Sequence, residues 1–447
     1  MSTETGGGVD FQIEGPVVTR AFVIHPDIKS RQINTGWRDA GAKLEEAIGL
    51  ALAIELEIAQ ATIVSVPKLN PAAFFGTGKI AQLGEEIEAS EAEVAILNVQ
   101  LTPAQQRNLE RAWKVKVLDR TGLILEIFGR RASTREGTLQ VELAHLEYQK
   151  SRLVRSWTHL ERQRGGAGFM GGPGETQLEA DRRIIQDRIT RLKRQLEQVI
   201  RTRTLHRNSR AKVPYPIVAL VGYTNAGKST LFNRLTGANV MAKDLLFATL
   251  DPTMRQIELP KGRKVILSDT VGFISDLPTT LVAAFRATLE EVLEADLIVH
   301  VRDIFHPESD EQASDVTAVL KELGISPERL SKVLELWNKI DLVDDDRRDV
   351  LREEAHRKDN VMIASAVTGE GVDELLAKLE EEFADGNPIL DIALTAEQGA
   401  DLAWIYAHGQ VLDRHDSDDG EIKVKARFDR RNAGVAQKRL GDRVRPT

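Results

Sequence analysis

The chain has 447 residues, a length that predicts about three domains because single hydrophobic cores rarely grow past roughly 250 residues. With 42% hydrophobic and 29% charged residues, it has the composition of a folded globular protein, which excludes wholesale disorder. It contains no cysteine, so thiol chemistry and disulfides are excluded, and its formal net charge of −8 argues against a uniformly basic surface.

The start of the chain and its hydropathy bear on location. The first residues, MSTETGGGVDFQIEG, lack the basic and apolar segments of a signal peptide. No apolar run reaches the roughly 18 to 20 residues that cross a bilayer. We therefore expect a cytoplasmic protein without stable membrane insertion, acting as a monomer.

Residues 1–134 alternate short apolar runs with amphipathic segments. The predicted strands are 21–24, 62–66, 94–97 and 115–118, and the predicted helices lie near 38–58, 79–89 and 103–113. Such alternation is typical of a parallel sheet flanked by helices, so we expect an N-terminal α/β domain.

A short motif in this region, GTGK at 76–79, is similar to a phosphate-binding loop. The first glycine of that motif would fall at Ala73, and Ile80 stands where a Ser or Thr is required. We interpret GTGK as a strand-to-helix turn, with a nucleotide site as the alternative.

Residues 135–212 show the pattern of long helices. Apolar residues recur every seven positions in two stretches, at Leu139, Leu146, Leu153 and Leu160 and then at Leu178, Ile185, Leu192 and Val199. Two heptad stretches predict an antiparallel helical hairpin. Arms of about 25 residues would each extend about 40 Å at 1.5 Å per residue.

The predicted hairpin is basic although the chain is acidic. From 150 to 212, 16 Lys or Arg residues oppose 6 acidic ones, a local excess of +10. This excess favours a polyanionic partner, and two solvated helices that carry arginines are the alternative. The predicted tip, RQRGGAGFMGGPGETQ, combines glycines with Arg162, Arg164 and Phe169. It suits close approach to RNA and stacking on an unpaired base, or else it is a disordered connector.

A phosphate loop opens the next region, which we assign to residues 213–385. The apolar strand 217–221 leads directly into GYTNAGKST, which is followed by an amphipathic helix, the context that the motif requires. Its backbone N–H groups would cradle phosphates, the lysine would reach the β and γ phosphates, and the serine would bind Mg²⁺. The predicted nucleotide-binding residues here are Gly222, Tyr223, Thr224, Asn225, Ala226, Gly227, Lys228, Ser229 and Thr230.

Two predicted switch segments follow the loop. In FATLDPT, Thr249 is the predicted hydroxyl that closes on Mg²⁺ when the γ phosphate is present, and Thr253 is the competitor. In DTVGF, Asp269 would lie beside the metal, and the Gly272 N–H would contact the γ phosphate. The predicted contact residues of the two segments are Phe247, Ala248, Thr249, Leu250, Asp251, Asp269, Thr270, Val271 and Gly272. The metal set is Ser229, Thr249 and Asp269.

Base selection is predicted from NKID, which follows an apolar strand. The carboxylate of Asp341 can accept from the ring N–H and the exocyclic amine of guanine, whereas adenine would leave it unpaired. A second segment after strand 361–363 would complete the base pocket. The predicted residues are Asn338, Lys339, Ile340, Asp341, Ser365, Ala366 and Val367. We therefore expect GTP rather than ATP as substrate.

Residues 386–447 predict a small α+β domain. Residues 388–393 read as a strand, 396–409 as a helix and 422–428 as a second strand, after an acidic turn at 413–420. Nothing in this segment resembles a catalytic set.

With these residues in place, the whole chain resembles the HflX family of ribosome-associated GTPases. The motifs that carry the resemblance are EGTLQVELAHLEY (136–148), GPGETQLEADRR (172–183), FATLDPT and DTVGF. The resemblance implies magnesium-dependent hydrolysis of GTP, binding to the large (50S) ribosomal subunit and its rRNA, and separation of stalled or idle 70S ribosomes. An ATP-dependent RNA remodelling enzyme working through residues 1–134 is the alternative, and a membrane-linked switch ranks last.

The resemblance also bears on hydrolysis. Where many related switches carry a water-positioning Gln, this chain has Phe273, so we expect slow intrinsic hydrolysis. Asn225 matches the position at which similar GTPases hold K⁺, which makes K⁺ a candidate cofactor. The predicted catalytic set is Lys228, Thr249, Gly272 and Asn225.

Overall fold

The computed structural model describes most of the chain. The described residues are 19–28, 39–161, 177–210, 215–238, 246–247, 249–250, 252–275, 286–384, 388–395, 397–417, 421–428 and 430–446. Within these ranges, no helix is long and apolar enough to cross a membrane. Their contacts define two compact units, one within residues 1–255 and 266–368 and the other within 256–265 and 369–447.

The N-terminal region forms a parallel four-stranded sheet, which confirms the prediction. Its strands are β1 (Arg20–Asp27), β2 (Glu57–Ser65), β3 (Val94–Leu97) and β4 (Lys116–Asp119), in the order β2-β1-β3-β4. All three neighbouring pairs are parallel. The helices are α1 (Ala40–Leu52), α2 (Thr77–Ala89), α3 (Pro103–Trp113) and α4 (Arg120–Arg131).

Two boundaries and one helix in this region differ from the sequence prediction. The predicted strand 62–66 starts too late, because β2 spans Glu57–Ser65. The predicted helix 38–58 was too long: α1 ends at Leu52, because the chain turns through Glu55, with φ 60°, and β2 begins at Glu57. The helix α4 was not predicted. The GTGK motif forms the start of α2, with Gly76 as its N-cap; it was predicted as a strand-to-helix turn, but β2 ends earlier, at Ser65.

Two long helices follow, α5 (Arg135–Glu161) and α6 (Gln177–Arg210), which confirms the predicted helical pair. They lie side by side, and Arg188 and Lys193 of α6 form ion pairs with α5 at 2.6 and 2.9 Å. These pairs are partly exposed and contribute little to stability. The glycine-rich tip, with Arg162, Arg164 and Phe169, lies outside the described residues.

A buried carboxylate joins α5 to the N-terminal sheet. Asp119, fully buried at the end of β4, accepts hydrogen bonds from the Tyr148 hydroxyl at 2.6 Å and from Arg152 at 2.7 Å. It also accepts from the Gly122 N–H at 2.8 Å and so caps α4. One side chain therefore fixes the sheet, α4 and α5 together.

The next sheet is parallel across its described pairs. Its strands are β5 (Ile217–Val221), β6 (Thr253–Glu258), β7 (Lys264–Asp269), β8 (Leu297–Asp303), β9 (Leu334–Asn338) and β10 (Val361–Ile363), in the order β10-β9-β8-β5-β7-β6. The helices are α7 (Lys228–Thr236), α8 (Arg286–Glu294), α9 (Ser309–Glu322), α10 (Pro327–Leu330), α11 (Asp345–His356) and α12 (Val372–Ala384), and a 3-10 turn spans Ile340–Leu342. The predicted nucleotide loops follow the carboxyl ends of β5, β7, β9 and β10, where ligands bind in such sheets.

The C-terminal region is a small α+β sheet domain, as predicted. Its elements are β11 (Ile389–Thr395), α13 (Gly399–His408), β12 (Gln410–Asp416), β13 (Glu421–Arg427), α14 (Arg430–Leu440) and β14 (Val444–Pro446). The sheet has the order β12-β13-β11-β14 with antiparallel pairs. The acidic turn predicted at 413–420 was wrong at its start, because residues 413–416 belong to β12 and pair with β13.

One apolar cluster runs from the N-terminal helices to the phosphate loop and first switch. It contains Ala47, Leu50, Phe128, Tyr223, Phe247 and Leu250 among its buried members. The rings of Phe128 on α4 and Phe247 lie edge to face with centroids 4.8 Å apart. The phosphate loop and the first predicted switch are thus packed directly on the N-terminal region.

Candidate functional site

The phosphate loop lies between β5 and α7, as the sequence predicts. Gly227 closes it with φ +93°, and a Cβ at this position would lie 2.2 Å from Asn338 Nδ2. Only glycine combines that conformation with that close approach. The loop residues from Gly222 to Thr230 form the turn and first helical residues, with Tyr223, Thr224 and Ala226 buried and Asn225 exposed.

Lys228 is buried at the start of α7. Its Nζ donates to the carbonyl oxygens of Gly222 at 3.1 Å and Tyr223 at 2.7 Å, so it spans the loop from inside. Burial lowers the pKa of Lys228 to about 8, and the charge of Asp269 acts in the opposite direction. A polyphosphate in the loop would stabilise the ammonium form, because opposite charges favour ionisation.

Three oxygen side chains meet beside the loop. The Ser229 hydroxyl lies 2.7 Å from Asp269 Oδ2 and 2.8 Å from Thr249 Oγ1, and Thr249 Oγ1 donates to Asp269 Oδ2 at 2.9 Å. Burial raises the pKa of Asp269, although the charge of Lys228 and these hydrogen bonds act to lower it. The predicted competitor, Thr253, is the first residue of β6, so Thr249 is the threonine that joins this cluster.

The donor set fits a magnesium ion. Within the described residues, Asp269 Oδ1 is a buried oxygen without a hydrogen-bond partner, and so is Thr224 Oγ1 in the phosphate loop. Hydroxyl and carboxylate oxygens are the ligands that Mg²⁺ takes, usually with phosphate oxygens and water. A bound cation would also offset the cost of burying the Asp269 carboxylate.

The second switch is attached to the phosphate loop through its backbone. The Phe273 N–H donates to Gly222 O at 3.0 Å, and the Thr224 N–H donates to Phe273 O at 2.8 Å. A Cβ on Gly272 would lie 2.8 Å from Thr224 Cα, so glycine is required for this approach. Phe273 is 1% exposed, which places its ring in the core and away from any attacking water.

The remaining second-switch residues are structural neighbours of the site. The Thr270 hydroxyl donates to Leu220 O at 2.6 Å, and Val271 is buried. In the first switch, Phe247 and Leu250 are buried, and Phe247 has φ 56°. Ala248 and Asp251 lie outside the described residues.

The base segments are joined to the phosphate loop by Asn338. Its Nδ2 donates to Ala226 O at 2.8 Å, and its Oδ1 accepts from the Ala366 N–H at 2.9 Å. Asn338 is 1% exposed, so both hydrogen bonds are made away from water. A single amide therefore sets the spacing between the phosphate loop and the second base segment.

The other base residues surround this amide. Lys339 adopts φ 66° and forms an ion pair with Asp303 at 2.7 Å, a partner that the sequence analysis missed. Ile340 is buried, Asp341 is half-buried, the Ser365 hydroxyl accepts from the Thr368 N–H at 3.0 Å, and Val367 is exposed. The structure brings both base segments to the same edge of the sheet.

A parallel sheet with this strand order, a phosphate loop after β5 and paired base segments after β9 and β10 defines a P-loop GTPase. Residues 217–339 match the family described as 50S ribosome-binding GTPase. Residues 41–129 and 131–210 match the N-terminal and middle regions of GTP-binding GTPases, and residues 350–447 match the HflX C-terminal domain.

The chain belongs to the HflX family. It is 51% identical to GTPase HflX of Magnetococcus marinus, over 86% of this chain and 87% of that protein. GTPase HflX of Escherichia coli is 43% identical over 86% of this chain and 89% of its own length. A GTP-binding protein from Sulfolobus solfataricus, crystallised with GDP, is 25% identical over 82% of this chain and 98% of that structure, with a TM-score of 0.44.

Proposed function

We propose that the chain binds the large (50S) ribosomal subunit and its rRNA when it holds GTP, and that it separates stalled or idle 70S ribosomes. Hydrolysis to GDP then releases it. The observation that carries this proposal is the basic helix pair directly ahead of the phosphate-loop strand. We propose that it acts in the cytoplasm, where it would meet its ribosomal partner, and that it acts as a monomer.

The basic surface of α6 supports the RNA-binding part. Along its described side chains, arginines and a lysine are exposed at Arg182, Arg183, Arg188, Arg191, Lys193, Arg194 and Arg201. Such a surface contacts phosphates without reading sequence, so its binding should weaken steeply with salt. The buried Asp119 network fixes α5 to the N-terminal sheet, which gives this surface a rigid base.

We further propose four functional regions, residues 1–134, 135–212, 213–385 and 386–447. The third region, residues 213–385, would hydrolyse GTP. Lys228 would bind the β and γ phosphates, and the Gly272 N–H would contact the γ phosphate. Ser229, Thr249 and Asp269 would hold Mg²⁺, which neutralises phosphate charge when bound. Asn338 would hold the loops in register while Asp341 selects guanine.

We propose K⁺ as a second cation that speeds hydrolysis through Asn225. Asn225 is exposed, its backbone has φ 61°, and it borders a cavity of about 290 Å³. Hydrolysis by the full chain should be faster in KCl than in NaCl of equal ionic strength, and Asn225→Ala should remove the difference. Equal rates in the two salts for the wild-type chain would contradict this role.

The splitting activity is tested by light scattering of purified 70S ribosomes. Adding the chain with GTP or a nonhydrolysable analogue should lower the scattering as subunits separate, and adding it with GDP should not. Arg182→Glu/Arg183→Glu on α6 should abolish the change while nucleotide affinity is retained. The matched control, Arg352→Glu/Arg357→Glu at the end of α11, should behave as wild type. Unchanged splitting by the α6 variant would contradict the proposed surface.

A further inference from the structure

A side chain from the phosphate-loop helix holds the second base segment, which consists of Ser365, Ala366 and Val367. Arg234 lies in the last turn of α7, the helix that begins at Lys228. Its Nε donates to the carbonyl oxygen of Ala366 at 2.6 Å, and its Nη2 donates to the carbonyl oxygen of Val367. These partners are 132 and 133 residues away along the chain, so one guanidinium joins two distant parts of the site.

Two consecutive carbonyl groups are a target that suits arginine. The guanidinium is planar and presents its N–H groups as a fixed fork, whereas a lysine ammonium is a compact point charge on a flexible stem. Hydrogen bonds from an ionised donor are also stronger than those between neutral groups. Arg234 therefore fixes both the position and the orientation of the backbone at Ala366 and Val367.

The strand ahead of this segment gives it little support. β10 has three residues and lies at the edge of its sheet, paired with β9. Beyond β10, the Ala366 N–H donates to Asn338 Oδ1 at 2.9 Å. The Thr368 N–H donates to the Ser365 hydroxyl at 3.0 Å. These contacts hold N–H groups, and Arg234 holds carbonyl groups of the same stretch, so its loss would remove two attachments to α7.

The alternative role for Arg234 is that of a charge at a helix end. A basic side chain in the last turn of a helix interacts favourably with the helix dipole, and Arg234 is exposed. That effect depends on charge alone, so a lysine would supply it equally well. It does not require two carbonyl groups of one loop, nor a contact of 2.6 Å to Ala366, which is 4% exposed.

We propose that Arg234 is a positioning residue for guanine binding, which sets the second base segment at a fixed place relative to the phosphate loop. It does not touch the nucleotide. This inference rests on the proposed base pocket, in which Asp341 selects guanine. Because α7 begins at Lys228 and carries Arg234 near its other end, one helix would serve both the phosphates and the base. Affinity for the base should therefore depend on Arg234, and affinity for the phosphates should not.

The test compares two probes on the full chain with Mg²⁺ present: GDP, and inorganic triphosphate, which carries no base. Arg234→Ala should weaken GDP binding about tenfold, because two hydrogen bonds from a charged donor are lost. Its affinity for inorganic triphosphate, and its kcat at saturating GTP, should stay within about twofold of wild type. Arg234→Lys keeps the charge but not the fork, so it should still weaken GDP binding at least about threefold.

The matched control is Arg329→Ala. Arg329 also bridges two carbonyl oxygens, those of Leu293 and Ala295, both at 2.7 Å. This bridge precedes the amino ends of β8 and β9, at the opposite edge of the sheet from the predicted nucleotide loops. The GDP affinity of Arg329→Ala should equal that of the wild type, although its free energy of unfolding should fall.

Wild-type GDP affinity in Arg234→Ala or in Arg234→Lys would overturn the proposal. An equal loss of affinity for GDP and for inorganic triphosphate would also overturn it, because that pattern reports a disturbed phosphate loop. Asp341→Asn separates this inference from the base pocket on which it rests. If Asp341→Asn loses GDP affinity and Arg234→Ala does not, only the role of Arg234 fails. If Asp341→Asn keeps wild-type affinity, the proposed pocket and the role of Arg234 both fail.

Discussion

Replacement of Asn338 by alanine is the sharpest test of how the two halves of the nucleotide site are joined. The substitution removes the donor to Ala226 O and the acceptor for the Ala366 N–H, at 2.8 and 2.9 Å. Both backbone groups belong to buried residues, at 0% and 4% exposure. A buried group left unpaired costs about 1–3 kcal/mol, so the two together cost about 2–6 kcal/mol, shared between folding and nucleotide binding.

Calorimetry with GDP measures the part of this cost that falls on nucleotide binding, and chemical denaturation measures the part that falls on folding. Asn338→Ala should weaken GDP binding at least about tenfold, since every 1.4 kcal/mol is a factor of ten. Asn360→Ala is the control: it removes one hydrogen bond to Val333 O, at 3.2 Å, away from the nucleotide loops. Its GDP affinity should equal that of the wild type. GDP affinity within twofold of wild type in Asn338→Ala would refute the role of this amide.

Three further predictions concern base choice, pH and the α5 anchor. Asp341→Asn should lower GTP affinity at least about a hundredfold, because charge-assisted hydrogen bonds to guanine are lost. The same variant should raise affinity for xanthosine triphosphate, whose second carbonyl accepts from the new amide. Competition binding measures both affinities. Burial lowers the pKa of His300 to about 4, so the unfolded chain binds more protons between pH 6.5 and 4. The free energy of unfolding should therefore fall by up to about 3 kcal/mol as pH drops through that window, and denaturation of His300→Gln should show a smaller fall. Tyr148→Phe should lower that free energy by about 1–2 kcal/mol by removing the hydroxyl bound to Asp119, and an unchanged denaturation midpoint would contradict the anchor.

The nucleotide loops could be predicted from sequence because their chemistry is local. The phosphate loop requires glycine at particular conformations, and the structure shows φ +93° at Gly227. The magnesium cluster was predicted from order along the chain, and Thr249 meets Ser229 and Asp269 in the structure. The roles of these side chains in binding and hydrolysis stay predictions.

Other elements depended on partners distant in sequence. Strand β12 is polar over residues 413–416 and reads as a turn, yet it forms because β13 pairs with it. Helix α14 has few buried side chains, among them Ala433, Ala436 and Leu440, too sparse a pattern to predict. The contact between Arg234 and the second base segment had no local signal at all, since the two partners of Arg234 lie 132 and 133 residues away.

The most direct test of the proposed function is sedimentation of the full chain with purified large ribosomal subunits in the presence of different nucleotides. With GTP or its nonhydrolysable analogue, the chain should pellet with the subunit, and the bound fraction should fall steeply as salt rises. With GDP it should stay in the supernatant. Equal pelleting with GDP and the analogue, or none with either, would contradict a GTP-controlled ribosome factor.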